Sequence, residues 1–585
     1  MYLDNRDAFP LNLTPQLSWK LHADPAKNEQ AVRAADLCRA ASRFYVSYRN
    51  RTLLPDVFHT KPEMSKHPAF EAVTAALPTS VSYYAAYAAG AYPLDMSQYD
   101  RLFCSTRVPV AGGRDELRTA EHSAYAVAFA GTRAYKLQLF EDAASDAPTP
   151  ASALGIAETG TAAPDGLNPL PASAVEAQIR AILADAASKP AVSPVGILTT
   201  TGRDEWGAAR VSMEGVPAIK ASLSEVDSAL FALSLDDATP GTHEDLSECM
   251  LAGKGRNRWF DKSFNIVVCA NGRSGINWEH AWGDGVAVLN FFNEVHDATT
   301  KEPTRPKSEL PANSSELVRP IDFSGLPADV EKAIEKASSD HDRIMSECDI
   351  DIYQTPSLNK GDIKQAKLSP DGIMQMVLQL AHHKTHGYVP STYESASTAG
   401  FKHGRTETIR SASPEAAAMV RCFADAGTSA ADRVAALEAA VSRHSKTSRN
   451  ALVGKGIDRH LFALKKHAEL LGMPSPSIFE DSSYAAMGDI RMSTSTLSSP
   501  ALDGGGFGPV SRTSYGIGYG VEERGVHFHV ASYGLGNDKF LDSIEASLQD
   551  IRSALEEVRG GPLSSRAETA VPDGELRSRR DIARG

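Results

Sequence analysis

The stretch that most constrains this chain is an apolar run joined to a helical pattern by one histidine-bearing turn. Phe264 to Ala270 reads as a strand, and Ala287, Val288, Phe291, Phe292 and Val295 recur at helical spacing. Between them lies Ile276-Asn277-Trp278-Glu279-His280-Ala281-Trp282-Gly283-Asp284-Gly285. An imidazole with an ordinary pKa near ~6.5 can accept a proton from an alcohol or thiol at neutral pH, so His280 is a candidate general base. Asp284, four residues on, could restrain the loop that carries it, and Gly283 and Gly285 permit tight backbone geometry. A second reading of the same residues stays open: Asp284 caps the following helix and His280 is a core histidine satisfied by a backbone carbonyl.

At 585 residues the chain exceeds what one hydrophobic core organises, which predicts two large domains. A formal net charge of −13 argues against a nucleic-acid partner. Six scattered cysteines, with no Cys-x-x-Cys pair and no histidine cluster at ligand spacing, predict reduced thiols and no structural metal. No run approaches the ~20 apolar residues of a membrane span. The opening residues have the character of neither a signal nor a transit peptide.

Residues 27–50 carry an amphipathic helical pattern. In 60–92, lysines are followed by Phe70-Glu71-Ala72-Val73 and by the tyrosine-rich Val81 to Tyr92, which suits either a bilayer interface or an internal core helix. Residues 142–173 lack periodicity and read as a surface insertion. His296 to Leu317 reads as an interdomain crossing, beyond which helices alternate with short strands, the pattern of an α/β architecture. The polar, arginine-rich residues 560–585 read as a disordered tail.

Three further clusters stand out. Lys360, Lys364 and Lys367 precede Ser369-Pro370-Asp371, a helix start backed by Ile373, Met374, Val377, Leu378 and Leu380. Lysines at a helix N-terminus make an anion site for a phosphorylated ligand such as coenzyme A; solvated lysines ahead of a capped helix are the plainer reading, since charge runs are usually surface. Thr392 to Arg410 is dense in hydroxyls and arginines. Met492-Ser493-Thr494-Ser495-Thr496 offers a row of hydroxyl donors before the glycine run Gly504-Gly505-Gly506-Phe507-Gly508. On a strand, one such donor could be aimed at a reacting oxygen.

These clusters, in this order and spacing, resemble the carnitine/choline acyltransferase family, and within it the palmitoyltransferase II group. Ala91 to Tyr99, Asn257 to Asn265, Asp458-Arg459-His460 and Ser493 to Pro500 extend the likeness over about residues 1–558. The resemblance implies two similar α/β domains of the coenzyme-A-dependent acyltransferase type. Mixed sheets would be flanked by helices, with the active site at the domain interface, a first domain at 1–318 and a second at 319–559. It implies acyl exchange between coenzyme A and the hydroxyl of L-carnitine, for mitochondrial fatty-acid import and oxidation, with no resident cofactor and no acyl-enzyme intermediate. His280 would relay the proton, Ser495 would bind the oxyanion and Asp284 would hold the loop. Coenzyme A would run along Lys360, Lys364, Lys367, Ser369 and Asp371. Carnitine would meet Tyr393, Ser395, Thr406, Arg459 and Phe507; burying its carboxylate requires a charged or hydrogen-bonding partner, and choline enzymes of the family lack the arginine and threonine.

Short-chain members carry a methionine ten residues after the motif's last serine. Here that position is Gly505, which implies an open acyl tunnel and a long or medium chain, at about 0.8 kcal/mol per buried methylene; a glycine serving only a turn is the other reading. The segment 60–92 aligns with an insert through which the palmitoyltransferase II group contacts the matrix face of the mitochondrial inner membrane. Family members extend upstream of the point matched by Met1, so a shortened start and an absent targeting segment are expected, with the chain acting as a monomer. The rival expectation is a membrane-docked acyl-CoA-binding protein without turnover; a shorter-chain carnitine acyltransferase is the alternative within the enzyme class.

Overall fold

The computed structural model of the protein describes residues 2–141, 167–304, 314–496, 498–563 and 578–579. The helical pattern near the start of the chain becomes Gln30–Arg49, where Glu29 accepts from the Val32 N–H. Its alanines let it pack closely against the helices Ala172–Ser188 and Gly285–Lys301, and all three cover one face of an eight-stranded sheet. Across that sheet the strands run Pro320–Ile321, Arg133–Gln138, Tyr125–Ala130, Ala232–Asp236, Phe264–Cys269, Ser274–Trp278, Gln16–Trp19 and Leu502–Gly506. The two pairings among Tyr125–Ala130, Ala232–Asp236 and Phe264–Cys269 are parallel, and the sheet is otherwise antiparallel. Every residue of Phe264–Cys269 is buried, as expected of a strand covered on both faces.

A six-stranded mixed sheet organises the second half, in the order Asp349–Thr355, Val526–Ser532, Tyr515–Val521, Met492–Thr496, Thr392–Ser397 and Thr406–Ile409. Its core is closed by the helices Pro370–His386, Ala430–Leu452 and Asn537–Arg559. The halves are not separate along the chain. Leu502–Gly506, from the second half, pairs antiparallel with Gln16–Trp19 and forms the edge of the first sheet, with Gly505 opposite Leu17. This exchanged strand carries the chain across the seam beside Ser495.

Several expectations change. His296–Lys301 belongs to the helix Gly285–Lys301 and not to a crossing; residues 305–313 lie outside the described residues. Most of the expected insertion, 142–166, also lies outside them, whereas Pro169 bridges Phe140 and Ala172 already begins a helix. In the expected tail, Arg579 pairs with Asp245 and Glu248 on the helix His243–Leu251. The 60–92 stretch is no core helix. The short helices Pro62–Ser65, Pro68–Ala76 and Thr79–Ala88 are closed at the base by the two-stranded pair Val57–His59 and Ala91–Pro93, and Tyr84 is 74% exposed. No helix among the described residues is long and apolar enough to cross a membrane. All six cysteines are free, including Cys249 and Cys269 at 3.5 Å.

Candidate active site

A cleft of about 1550 Å³ opens between the two sheets, walled on one side by Tyr2, His280 and Asp284 and on the other by Tyr393, Ser395, Thr406, Arg459, Ser495 and Phe507. His280 follows the strand Ser274–Trp278, and its backbone N–H donates to the Leu13 carbonyl at 3.2 Å. Its side chain is 21% exposed, with Nδ1 3.7 Å from Asp284 Oδ1. Asp284 occupies the N-cap position of Gly285–Lys301, but its carboxylate makes no capping bond. It accepts instead from Arg405, Nε to Oδ2 at 2.9 Å and Nη2 to Oδ1 at 3.0 Å.

Arg405 therefore decides the character of the pair. The same guanidinium donates to the carbonyls of His280, at 2.7 Å, and Ala281, at 2.6 Å, and its Nη2 lies 3.4 Å from His280 Nδ1. Burial pulls the His280 pKa below the ordinary imidazole value; Asp284 acts the other way, and Arg405 opposes Asp284. The ring is held neutral, the state a base requires. The ring is not sealed in the core, since it borders the cleft.

The turn is braced from two sides. Gln98 Oε1 accepts from the Asp284 N–H at 2.7 Å, while its Nε2 reaches Asp284 Oδ2 and the Gly404 carbonyl, each at 3.3 Å. Gly283 serves this contact, since a side chain there would stand 3.3 Å from Gln98 Oε1; neither it nor Gly285 takes the left-handed conformation that tight turns exploit. Beneath the turn, Glu279 accepts from the Ala281 N–H at 2.8 Å and pairs with Arg107 at 3.3 Å. Arg107 and Arg203 share Asp115, and Arg203 also binds Asp261. Such a buried network holds geometry when complete and is costly to break.

On the facing sheet, the strand pair Thr392–Ser397 and Thr406–Ile409 presents Tyr393, Ser395 and Thr406. Arg459, in the first turn of the helix Asp458–Leu470, donates through Nη2 to Tyr393 Oη at 3.2 Å and to Thr406 Oγ1 at 3.3 Å. Ser495 lies on the neighbouring strand Met492–Thr496, which is parallel to both Thr392–Ser397 and Tyr515–Val521. A buried relay fixes those strands: Gln375 Nε2 donates to Thr494 Oγ1 and to Tyr519 Oη, both at 3.0 Å, and Thr494 donates to the Tyr393 carbonyl at 2.8 Å.

The five residues expected to bind coenzyme A divide. Lys360 lies on the cleft wall, at the start of its own helix Lys360–Gln365, so the three lysines do not converge on one helix N-terminus. Lys364 and Lys367 are exposed, and Lys367 is left-handed, φ 58°. Ser369 caps Pro370–His386 by accepting from the Gly372 N–H at 3.2 Å. Asp371 accepts from Tyr519 Oη at 2.7 Å and also belongs to a group that was not legible in the sequence. Asp371, Glu394 and His444 bring three potential metal-ligand atoms within 4.8 Å of one another. His444 Nε2 and Glu394 Oε2 already share a hydrogen bond of 2.9 Å.

Gly505 is a strand residue, not a turn residue. A side chain there would begin 2.8 Å from Leu17 Cδ2 and 3.3 Å from the Gln16 carbonyl, whereas one at Gly504 would meet nothing within 4 Å. Gly505 and Leu17 both line the cleft, and a side chain at Gly505 would have to displace Leu17, a movable side chain. Sequence reasoning missed Arg405, Gln98 and Tyr2, whose ring stacks on His280 at 4.8 Å and 14°. Arg405 and Gln98 stood inside stretches already singled out, the arginine-rich one and Ala91 to Tyr99; nothing in the local pattern marked Tyr2.

This arrangement, a histidine and a row of strand hydroxyls facing across a two-sheet seam, defines an acyltransferase-type site, and the chain belongs to the choline/carnitine acyltransferase family, whose pattern matches residues 1–550. It is 36% identical over 561 residues to human "Carnitine O-palmitoyltransferase 2, mitochondrial", covering 95% of this chain and 81% of that protein. The mouse protein of the same name is 38% identical over 567 residues, with the same coverage. Human "Carnitine O-palmitoyltransferase 1, muscle isoform" is 30% identical over 466 residues, 76% of this chain and 57% of that protein.

Proposed function

We propose that this chain transfers a long- or medium-chain acyl group reversibly between coenzyme A and the hydroxyl of L-carnitine. The observation that carries the reading is the neutral His280 facing Arg459, Tyr393, Thr406 and Ser495 across one cleft. Carnitine's carboxylate is met by the Arg459 guanidinium with the Tyr393 and Thr406 hydroxyls, and Ser395 and Phe507 complete that end. Nδ1 of His280 faces Asp284 and Arg405, which leaves Nε2 for the substrate. As the carnitine oxygen attacks the thioester carbonyl, its proton passes to Nε2; the oxyanion accepts from Ser495 Oγ. Collapse breaks the C–S bond, and the departing thiolate takes the proton back. The exchange balances with the two substrates alone, so no resident cofactor is required.

Lys360 on the cleft wall supports a coenzyme A path along the 360–371 segment, with Lys364, Lys367, Ser369 and Asp371 as its further contacts and Asp371 reaching the cleft through Tyr519. The names of the relatives support a mitochondrial setting. The exposed tyrosines of the 57–93 hairpin support peripheral contact with a membrane, the matrix face of the inner membrane by the same likeness. Every group named lies on one chain, in keeping with a monomer. The test is thiol release from palmitoyl-CoA with and without L-carnitine. Carnitine-dependent release is expected; binding of palmitoyl-CoA with no release would overturn the reading.

A further inference from the structure

Side chains on a strand alternate between its two faces, so behind each pair of cleft-facing hydroxyls stands one residue turned the other way. Thr494 holds that place between Ser493 and Ser495, and Glu394 holds it between Tyr393 and Ser395; both are buried. The ladder joining these two strands is short. Met492–Thr496 pairs with Thr392–Ser397 at Met492, Ser493 and Thr494, whereas its pairing with Tyr515–Val521 runs on to Thr496. Ser495 therefore lies one residue past the last rung on the side that carries Tyr393. A side chain makes the link there, Thr494 Oγ1 donating to the Tyr393 carbonyl at 2.8 Å.

Gln375 sets the direction of that link. It is fully buried, on the helix Pro370–His386 behind the sheet. Thr494 gives its proton to Tyr393 and Tyr519 gives its own to Asp371 at 2.7 Å, so only a donor can face either hydroxyl oxygen. The Gln375 amide supplies both, Nε2 reaching Thr494 Oγ1 and Tyr519 Oη at 3.0 Å each, while its Oε1 accepts from Ser411 Oγ at 2.6 Å. One amide with a fixed orientation thus joins the strand of Ser495, the strand of Tyr393 and, through Tyr519, the helix start that carries Asp371.

We infer that Gln375 is a positioning residue for the transfer step: acting through Thr494, it holds the Ser495 hydroxyl in place relative to Tyr393 at the point where the ladder between their strands has ended. The inference rests on the proposed reaction, in which Ser495 meets the oxyanion. The strand of Tyr393 is held on its other side by Thr406–Ile409 and by Arg459, so Ser495 is the group that shifts when the relay is cut. An oxyanion donor acts on charge that develops in the transition state, and its displacement lowers turnover while leaving ground-state binding of carnitine nearly unchanged.

The test compares Gln375→Leu, Thr494→Val and Thr494→Ser, each alone and combined with Ser495→Ala, by carnitine-dependent thiol release from palmitoyl-CoA, with thermal unfolding to show that each variant folds. Expected in Gln375→Leu and Thr494→Val is a kcat lower by about 10- to 100-fold with the carnitine KM within about threefold of the parent. Thr494→Ser keeps the hydroxyl and should stay within about threefold of the parent in both constants. In the Ser495→Ala background the first two changes should cost less than about a further threefold in kcat, because the donor they aim is gone. Full additivity in that background, an equal loss in Thr494→Ser, or parental kcat in Thr494→Val overturns this inference and leaves the proposed function standing. Should Gln375→Leu fail to fold, Thr494→Val, close to threonine in volume, decides. An unmodified chain without carnitine-dependent release defeats the proposed function and this inference with it.

Discussion

His280 and His444 each lie against carboxylates in dehydrated surroundings, His280 with Nδ1 3.7 Å from Asp284, and His444 with Nε2 2.9 Å from Glu394 and Nδ1 4.0 Å from Asp371. Their protonation is driven in opposite directions. At His280 burial is the largest influence and the pKa falls; Arg405 takes up the Asp284 carboxylate and adds its own opposing charge to the same effect. At His444 burial also works to lower the value, but the hydrogen bond to Glu394 and the charges of Glu394 and Asp371 outweigh it, and the pKa rises. Burial, with Asp371 adding to it, pushes the Glu394 carboxyl up to about 7 against the pull of His444. Burial aided by one guanidinium lowers the first ring's pKa, while a direct hydrogen bond and two carboxylates make the second part of a proton-sharing clamp that ties the helix Ala430–Leu452 to the strand carrying Tyr393.

The largest effect expected from breaking the comparison is at His280. His280→Ala should lower kcat by about 10²- to 10⁴-fold while calorimetry shows coenzyme A binding retained, since only the proton relay is removed. His444→Gln should leave kcat within about tenfold of the parent but lower stability by about 1–3 kcal/mol in urea unfolding, because Glu394 loses its partner. Near-normal turnover in the first variant would reverse the assignment of roles. Ser495→Ala should cost about 10²- to 10³-fold in kcat, the usual effect of losing one oxyanion donor.

Smaller effects sharpen the electrostatics. The acid limb of the kcat/KM profile should lie below the ordinary imidazole value, since His280 must be neutral to act and its pKa is lowered. Arg405→Gln should move that limb to higher pH, and Asp284→Asn to lower pH, as the arginine is then left uncompensated. Shifts of the opposite sign would show that Arg405 does not control the ring. At the other histidine, Glu394 and His444 both bind protons more tightly folded than unfolded. Their contribution to stability is complete below the ordinary carboxylate range and is lost as pH rises through about 7 and beyond. Urea midpoints at pH 5 and 8 should therefore differ less in Glu394→Gln/His444→Gln than in the parent.

Much of the site was legible because its pieces are local. The strand before His280 and the helix after it follow from apolar spacing, and the Ser369 cap and the hydroxyl strand Met492–Thr496 follow from residue type. The meeting of Arg459 with Tyr393 and Thr406 was expected only through the family likeness, since the partners lie 66 and 53 positions apart. Two readings changed: Asp284 was drawn off its helix by Arg405, and the 360–367 lysines were parted when Lys360 began a helix of its own.

By itself, then, the sequence determined the α/β class, the histidine turn and the rows of donors, because hydrophobic periodicity and capping act over a few residues. The charge state of His280, the strand exchange at Leu502–Gly506 and the Asp371–Glu394–His444 clamp were decided only in three dimensions. Electrostatic and steric energies depend on distance in space, and partners 50 positions apart (Glu394 and His444) or 125 apart (His280 and Arg405) reach those distances only after the sheets have formed.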